Sequence, residues 1–359
     1  MQTTGAQASV FCFCTALRDS FSIPYSCRPF GKSKNIPFSP EDKRMTYLYA
    51  MGFAFLLVFL LVPVVRTAAL RIGFVDRPAR RKIHNRPVPL SGGVALYAGV
   101  VLTSWLWLGD SPLVRALAAG GGLLVVIGLA DDAFKARGRE FPVWPRLVLY
   151  IGVSLIPGWH GIAIAGISSP SSSAMIVFPE GWGIFFTAVW VFALINMVNF
   201  IDGIDGLASG VCVISSLTLF AASLLGHQEV TALIAVALAG SCLAFLAFNF
   251  HPARIFMGDA GATFLGYTLA VTAIEGTLKG ATFLSLLVPL LALGVPILDT
   301  AVVFTRRLLE GKGLHRADNL HTHHSLMKWG LTQVQTVSFL YLIASVFALM
   351  SIVVLLMLR

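Results

Sequence analysis

The apolar stretch GIFFTAVWVFALINMV (183–198) is followed at once by NFIDGIDGLASG (199–210), which contains the carboxylates Asp202 and Asp205. A helix needs roughly 20 apolar residues to cross the hydrocarbon core of a bilayer, so the first stretch and its flanks predict a membrane span. The two aspartates and the glycines between them then lie where that span ends. No basic residue stands close to them in the sequence, and the question is what these carboxylates bind.

Apolar stretches of this length recur along almost the whole chain. Residues of the set AVILMFWYC make up 57% of the 359 residues and charged residues only 12%, whereas an ordinary soluble domain has about 25% charged residues. The composition therefore predicts an all-α, polytopic membrane helix bundle and argues against a large soluble helical protein. The stretches do not alternate between apolar and polar residues, as the strands of an outer-membrane barrel would.

We predict about ten transmembrane helices, with spans at 47–70, 91–108, 114–130, 143–158, 183–200, 206–225, 229–249, 260–275, 280–304 and 334–357. If the first span enters from outside, the connections after odd-numbered spans carry most of the Lys and Arg, and the opposite face carries only Arg115, Lys279 and Arg359. Because cytoplasmic loops are enriched in Lys and Arg, this arrangement predicts a multi-pass membrane protein whose connections after odd-numbered spans face the cytoplasm. The net charge of +9 reflects this sidedness, and we predict no nucleic-acid partner.

Residues 1–44 do not fit this arrangement. They carry six Lys and Arg residues that would have to cross to the outside, and they lack the apolar core of a signal peptide. We expect translation to start at Met45, or the first 44 residues to be a disordered extension. Residues 45–359 are predicted to form a single transmembrane domain.

Five polar segments follow odd-numbered spans, so the predicted topology brings all of them to the cytoplasmic face. They are RKIHNRPVPLSGG (81–93), ADDAFKARGR (130–139), NFIDGIDG (199–206), FNFHPARIFMGDAGA (248–262) and RADNLHTHHSLMKWG (316–330). The opposite face has short links and one longer segment, 159–182, with little reactive chemistry. This asymmetry predicts an active site at the cytoplasmic surface of the membrane.

The residue types indicate the chemistry of that site. Carboxylates placed together at helix ends repel one another, which raises their pKa values, and a divalent cation removes the conflict. Hard oxygen ligands favour Mg²⁺ or Mn²⁺, and the basic residues and histidines on the same face suit a phosphate ligand. The carboxylates predicted to lie at helix ends are Asp131, Asp132, Asp202, Asp205 and Asp259.

Each of these signals also has a simpler interpretation. Two adjacent aspartates are common at a solvated helix end, DGIDG is compatible with an ordinary turn, and Asp299 in GVPILDT with a buried polar residue satisfied by its neighbours. The histidines His321, His323 and His324 are compatible with an amphipathic loop, and they lack the helical spacing of a zinc-binding HExxH motif. The convergence of five segments on one face favours the active site.

At these residues the sequence resembles the polyprenyl-phosphate N-acetylhexosamine-1-phosphate transferases, of the glycosyltransferase family 4 type. The resemblance covers roughly residues 47–333 and is carried by RKxHxxPxPxxGG, the DD pair, NxxNFxDGxDGLA from Asn196, FNxxPAxxFMGDxG from Phe248, and HxHH. Such enzymes join a nucleotide-activated sugar phosphate to a lipid phosphate and release UMP. In bacteria the lipid is undecaprenyl phosphate.

The resemblance implies a role for each matching residue. Asp259 is expected to bind Mg²⁺, for which Mn²⁺ would substitute, and Asp131 and Asp132 are expected beside the metal and the lipid phosphate. Asn199, Asp202 and Asp205 would contact the nucleotide and order the metal site. Phe256 would stack on uracil and Asn249 would hydrogen-bond near the diphosphate. Phosphate or sugar groups would be bound by Arg86, Arg316, His321, His323 and His324.

The H-T-H-H pattern resembles the branch that uses UDP-N-acetylglucosamine more than the phospho-N-acetylmuramoyl-pentapeptide transferases of peptidoglycan synthesis, which remain an alternative. Two departures are a single span after the histidine segment and GATF (261–264), where the family often has a serine. The resemblance implies a UDP-sugar donor, undecaprenyl phosphate and the bilayer as partners, and is compatible with a homodimer. A transporter or flippase of an anionic sugar lipid is the rival class, but it would require mid-span polar residues, which the spans nearly lack.

Overall fold

In a bilayer the backbone must satisfy its own hydrogen bonds, so apolar segments of this length fold as helices. The computed structural model describes residues 40–76, 87–139, 141–168, 175–278, 287–309 and 322–357. The α-helices of this part of the chain are α1 Pro40–Ile72, α2 Gly92–Leu108, α3 Pro112–Ala136, α4 Val143–Ser154, α5 Ile156–Trp159, α6 Glu180–Ile201, α7 Leu207–Leu225, α8 Glu229–Asn249, α9 Gly258–Ala273, α10 Leu287–Ala292, α11 Gly294–Leu309, α12 Thr322–Lys328 and α13 Gln333–Met357. A π-helix, Ile274–Leu278, continues α9.

The predicted multi-pass, all-α membrane architecture is confirmed. Among the described residues, six helices are long and apolar enough to cross a membrane, namely Arg44–Ile72, Pro112–Ala136, Gly181–Ile201, Leu207–Leu225, Glu229–Asn249 and Gln333–Met357. Shorter apolar helices lie at 92–108, 143–159 and 294–305. The number of ten spans stays a prediction.

The structure corrects the sequence-based boundaries of three predicted spans. The fourth, 143–158, is divided at Leu155 into α4 and α5. The third predicted span, 114–130, is too short: α3 runs on to Ala136, so Asp131 and Asp132 lie inside the helix and not after it. The ninth predicted span, 280–304, is not one continuous helix. Residues 279–286 lie outside the described part, and α10 and α11 are separated at Leu293.

Helix α9 is the central element of the bundle, because its residues after Asp259 are all buried. It packs against α3 and α6, and buried polar groups fix its position. The Tyr267 hydroxyl donates to the Ala116 carbonyl in α3 at 2.9 Å, and the Trp190 indole in α6 donates to the Ala270 carbonyl at 3.3 Å. The position of α9 therefore determines where Asp259, in its first turn, meets the neighbouring helices.

Two short antiparallel strand pairs interrupt the helical order. Strands β1 (Val75–Asp76) and β2 (Val88–Pro89) pair close to the polar segments. Strands β3 (Gly166–Ser168) and β4 (Met175–Val177) form a hairpin before α6, at the opposite end of that helix from Asp202. The sequence analysis did not predict either pair, because strands of two or three residues are too short to show an alternating pattern.

Candidate active site

The two neighbouring aspartates of α3 have different partners. Asp132 is buried, and its Oδ1 and Oδ2 accept the backbone N–H groups of Asp259 at 3.1 Å and Ala260 at 3.4 Å. These N–H groups belong to the first turn of α9, where donors are left without intrahelical partners and negative charge is favoured. Asp132 therefore caps α9 and joins it to α3.

Two glycines allow this close approach of α3 and α9. A Cβ at Gly128 would lie 2.3 Å from the backbone nitrogen of Ala260, so the helices could not come together with a larger residue there. Gly258 has a φ of 68°, and a Cβ there would lie 2.3 Å from Asp132 Oδ2. Glycine has no Cβ, so it fits where the neighbouring atoms leave no room for a side chain, and it also adopts the left-handed conformation found at Gly258.

Asp131 is turned toward Asp259, and two cations lie between their carboxylates. Arg146 Nη1 is 2.7 Å from Asp131 Oδ2 and 3.9 Å from Asp259 Oδ2. Lys135 Nζ is 2.6 Å from Asp259 Oδ2 and 4.0 Å from Asp131 Oδ2. Three helices, α3, α4 and α9, thus bring two carboxylates and two cations into one cluster, which we call the Asp131–Asp259 cluster.

One oxygen of this cluster has no hydrogen-bond partner among the described residues. Asp131 is 1% exposed, and its Oδ1 is buried without a bond. A buried carboxylate oxygen in this state is costly and is the type of atom that a hard cation satisfies. No group of three His, Cys, Asp or Glu residues able to hold a metal is found in the described part. Mg²⁺ does not require one, since it is usually bound by one or two carboxylates and substrate phosphates.

The sequence analysis counted Lys135 and Arg146 only as basic residues that mark the cytoplasmic face, and it did not identify them as site residues. Lys135 could have been found, because it lies four residues after Asp131 on the same face of a helix. Arg146 could not be paired with Asp131 from the sequence, since the contact depends on how α4 folds back against α3.

The segment 199–206 turns between α6 and α7 and is tied to the segment after α8. Asp205 Oδ2 accepts from His251 Nδ1 at 2.9 Å and from the Ala253 backbone N–H at 3.0 Å. Asp202 follows the last residue of α6, and burial, together with the charge of Asp259, raises its pKa to about 7. Asn199 is half-buried in the last turn of α6. The turn is therefore held beside the Asp131–Asp259 cluster.

The side chain of Asn249, which the sequence predicts near the diphosphate, makes three hydrogen bonds within the protein. Its Oδ1 accepts from the Gly206 N–H at 3.2 Å and the Ser209 hydroxyl at 2.9 Å, and its Nδ2 donates to the Ile255 carbonyl at 3.0 Å. The side chain is 2% exposed. Asn249 therefore fixes the 199–206 turn against the segment that leads into α9, and its amide is occupied by the protein itself.

Phe256 is half-buried, and its backbone joins two of the polar segments. Its N–H donates to the Pro89 carbonyl at 2.8 Å, and its carbonyl accepts from the Gly92 N–H at 3.0 Å. The VPLSGG segment thus supports the residues just before Asp259. This contact is consistent with the prediction that the first and fourth polar segments meet.

The histidine segment is helical where it is described, and not a loop as the sequence analysis expected. His323 and His324 lie in α12, and Asp299 Oδ1 accepts the Thr322 N–H at 2.7 Å at the start of that helix. His323 is buried, and its ring occupies the space that a Cβ on Gly203 would need. The predicted site residues Arg86, Arg316 and His321 lie outside the described residues.

An apolar cleft of about 210 Å³ opens beside this part of the site. Residues of α6, α7, α11 and α13 line it, among them Leu298 and Phe347, and its polar end is formed by Asp299, Thr322 and His323. Asp299 is thus part of the cleft as well as the cap of α12. An apolar cleft with a polar end suits a molecule that has a hydrocarbon chain and a polar head.

Comparison with known proteins connects this geometry to one family. Residues 114–277 match the glycosyl transferase family 4. The chain is 32% identical over 317 residues to the "Probable undecaprenyl-phosphate N-acetylglucosaminyl 1-phosphate transferase" of Bacillus subtilis (strain 168), across 87% of this chain and 86% of the relative.

Two further relatives carry related names. The "Decaprenyl-phosphate N-acetylglucosaminephosphotransferase" of Mycolicibacterium smegmatis is 32% identical over 314 residues, across 79% of this chain and 76% of the relative. The "Undecaprenyl-phosphate alpha-N-acetylglucosaminyl 1-phosphate transferase" of Yersinia pestis is 28% identical over 311 residues, across 86% and 82%. The matched regions include the Asp131–Asp259 cluster and the 199–206 turn.

Proposed function

The chain belongs to the glycosyl transferase family 4, and from that premise we propose that it transfers N-acetylglucosamine 1-phosphate from UDP-N-acetylglucosamine to undecaprenyl phosphate and releases UMP. The names of the relatives support the sugar and the polyprenyl phosphate acceptor. The product would be the first lipid-linked intermediate of a cell-envelope polysaccharide.

The observation that carries the proposal is the Asp131–Asp259 cluster. A transferase of this kind brings two negatively charged phosphate groups together. It therefore needs cations at the site to offset their repulsion, and carboxylates can hold those cations in place. Asp131 and Asp259 are bridged by Lys135 and Arg146, and one buried oxygen of Asp131 has no hydrogen-bond partner within the described part of the chain. Carboxylate oxygens of this type, next to cations that can contact phosphate, fit a Mg²⁺-dependent phosphoryl-transfer site.

Asp131 and Asp259 would hold the Mg²⁺, with Mn²⁺ as a substitute. When bound, the ion would offset the charge of the donor diphosphate and make UMP a better leaving group. An oxygen of the lipid phosphate would form the new bond to the β-phosphorus, while the bond from that phosphorus to the oxygen bridging it to the α-phosphate breaks and UMP leaves with that oxygen. A phosphate monoester has its second pKa near about 6 and is mostly dianionic at neutral pH, so no strong general base is required. Asp131 would accept any remaining proton, and Arg146 would hold the phosphates in line for transfer.

Other residues of the site would recognise the donor. We assign the uracil ring to Phe256, whose aromatic face would stack on the base, and the nucleotide to the 199–206 turn with Asn199, Asp202 and Asp205. Asn249 would act as a positioning residue, since its amide already holds that turn.

The acceptor and the sugar would be bound on the side of the histidines. The apolar cleft beside His323 suits the isoprenoid chain of the acceptor. His323 and His324, together with Arg86, Arg316 and His321, would bind phosphate or sugar groups.

We propose that the site faces the cytoplasm of the bacterial inner membrane. The ends of α3, α6 and α8 and the start of α9 meet at one face. That face carries Arg66, Lys135, Arg146 and Arg254, and the opposite face carries Arg115, in the first turn of α3. Because Lys and Arg are enriched in cytoplasmic loops, the site is on the side where UDP-sugars are available.

The test is a transferase assay with purified protein, undecaprenyl phosphate and a panel of tritiated UDP-sugars. We expect a lipid-extractable product with UDP-N-acetylglucosamine, no product when EDTA removes divalent ions, and at most traces with UDP-N-acetylmuramoyl pentapeptide. Asp259→Asn should lower turnover by at least about 100-fold, because a neutral amide is a poorer ligand for a hard cation. Efficient use of the pentapeptide donor would overturn the branch, and no product from any donor would overturn the transferase.

A further inference from the structure

We propose that Lys135 is an exchangeable counter-cation, which holds the Asp131–Asp259 pair when no divalent ion is bound and is displaced when one enters. The inference rests on the proposed metal site, and it concerns what the chain itself does at that site. Its chemistry is an exchange of cations, in which no covalent bond forms or breaks and Lys135 remains an ammonium.

The position of Lys135 is the first argument. Its Nζ is 2.6 Å from Asp259 Oδ2, within direct contact, and 4.0 Å from Asp131 Oδ2. The ammonium therefore lies at the oxygen through which Asp259 would bind a metal. A Mg²⁺ ion needs its ligand oxygens at about 2.0–2.1 Å. Since the two cations cannot both be in contact with the same side of this oxygen, one has to leave.

The difference between Lys135 and Arg146 is the second argument. The Arg146 guanidinium comes from α4 and contacts Asp131 Oδ2 at 2.7 Å. Lys135 is 4.0 Å from the same oxygen. Arg146 is therefore expected to stay with Asp131 when Lys135 moves. The Lys135 side chain is 41% exposed and belongs to the last turn of α3, one residue before the helix ends. A lysine is a compact charge on a flexible stem with several rotatable bonds, so Lys135 is the cation that can move out.

The consequence of displacement is the third argument. A divalent ion that replaces Lys135 leaves an ammonium at the open side of the cluster, next to the place where the donor diphosphate must bind. Charge-assisted hydrogen bonds from ammonium to phosphate are stronger than neutral ones. The same residue would thus prevent repulsion between Asp131 and Asp259 before the ion binds, and would attract the diphosphate afterwards.

The first measurement is direct binding of Mn²⁺, followed by electron paramagnetic resonance, with no substrate present. Removal of a unit charge a few ångströms from the ion should lower the Mn²⁺ Kd of Lys135→Gln by at least roughly tenfold. Arg137→Gln is the matched control, because Arg137 is exposed two residues further along and forms no ion pair with a described residue. Its Kd should stay within about twofold of wild type.

The second measurement separates displacement from a general effect of charge. A short pulse of an amine-acylating reagent, read by mass spectrometry, reports whether the Lys135 amine is released from Asp259. We expect acylation of Lys135 in the wild-type protein to rise several-fold on addition of Mg²⁺ or Mn²⁺, and to fall again when UDP-N-acetylglucosamine is added. Lys328, exposed on α12, should react equally in all samples.

The outcomes distinguish this inference from the proposed function. Mn²⁺ binding with unchanged Lys135 acylation, or a Kd of Lys135→Gln equal to or weaker than that of wild type, would overturn the exchange and leave the transferase intact. Absence of Mn²⁺ binding to the wild-type protein would remove the metal site and the exchange together. Tighter binding in Lys135→Gln with metal-dependent release of Lys135 would support the exchange.

Discussion

Asp131 and Asp132 are adjacent in the chain, yet the structure gives them separate tasks. Asp132 accepts two backbone N–H groups at the start of α9, and Asp131 faces Asp259, Lys135 and Arg146. A sequence shows two identical side chains in a row and cannot show which of them meets a helix N-terminus. That difference depends on the contact of Gly128 with Ala260, which only the packed helices reveal.

Asp132→Asn should lower stability more than Asp131→Asn does. An amide at position 132 offers one acceptor oxygen and turns its NH₂ toward a backbone N–H, which leaves a buried donor unsatisfied at a cost of about 1–3 kcal/mol. We expect both variants to lose at least about 100-fold in turnover but only Asp132→Asn to show a clearly lower Tm in detergent. Equal Tm values would show that Asp132 is not the cap of α9.

The stability of the protein should depend on pH through Asp202. Burial, and then the charge of Asp259, raises the pKa of this carboxyl to about 7, whereas an unfolded aspartate titrates near about 3.9. Between these values the folded protein binds the proton more strongly, so stability falls as pH rises from about 4 to 7 and levels off above it.

Asp202→Asn removes this dependence, because an amide does not titrate. In metal-free buffer the Tm of the variant, relative to wild type, should therefore increase from pH 5 to pH 7 and then remain constant. Asp110→Asn is the control, since Asp110 is an exposed carboxylate that pairs with Arg115 far from the site. A Tm difference for Asp202→Asn that is constant over this range would contradict the raised pKa.

At the scale of the elements, the C-terminal helix has a part in the site. The sequence analysis noted that only one span follows the histidine segment. The structure shows that this span, α13, brings the Tyr341 hydroxyl to the Gly206 carbonyl at 2.5 Å, while His323 in α12 packs on Gly203. Gly203 and Gly206, the two glycines of the 199–206 turn, are thus both contacted by C-terminal helices.

Tyr341→Phe should slow turnover by roughly fivefold, the value of one lost hydrogen bond of about 1 kcal/mol. The matched control is Tyr267→Phe, which also loses a buried hydroxyl donor to a backbone carbonyl, at Ala116, but at a distance from the turn. We expect similar decreases of Tm in the two variants and a decrease of kcat only in Tyr341→Phe. A kcat of Tyr341→Phe equal to that of wild type would show that Tyr341 contributes to helix packing and not to the active site.

At the scale of the whole molecule, much of the architecture could be predicted from the sequence, because a bilayer permits few spanning structures. The fifth, sixth and seventh predicted spans coincide closely with α6, α7 and α8. The third, fourth and ninth did not. The third span was predicted too short because α3 continues through the polar residues at Asp131, where an apolar pattern stops. The break in the ninth span was missed because α10 and α11 together have the composition of one continuous apolar helix.

The candidate site was partly predictable for a related reason. Charged residues are rare in this chain, so Asp202, Asp205 and Asp259 stand out even before their contacts are known. The contacts themselves were not predictable. Asn249 was expected at the diphosphate, but its amide is occupied by Gly206, Ser209 and Ile255. Arg146 was not identified, because its partner Asp131 belongs to another helix.

We propose that the chain transfers a sugar 1-phosphate, and not the sugar alone, at the Asp131–Asp259 cluster. The most direct measurement uses UDP-N-acetylglucosamine labelled with ³²P only in the β-phosphate, together with unlabelled undecaprenyl phosphate and Mg²⁺. We predict that the label appears in the lipid fraction, that the released nucleotide is unlabelled UMP, and that Asp259→Asn transfers none above background. Label that remains with the nucleotide, as UDP, would contradict transfer of the sugar 1-phosphate, and full transfer by Asp259→Asn would contradict the role of the cluster.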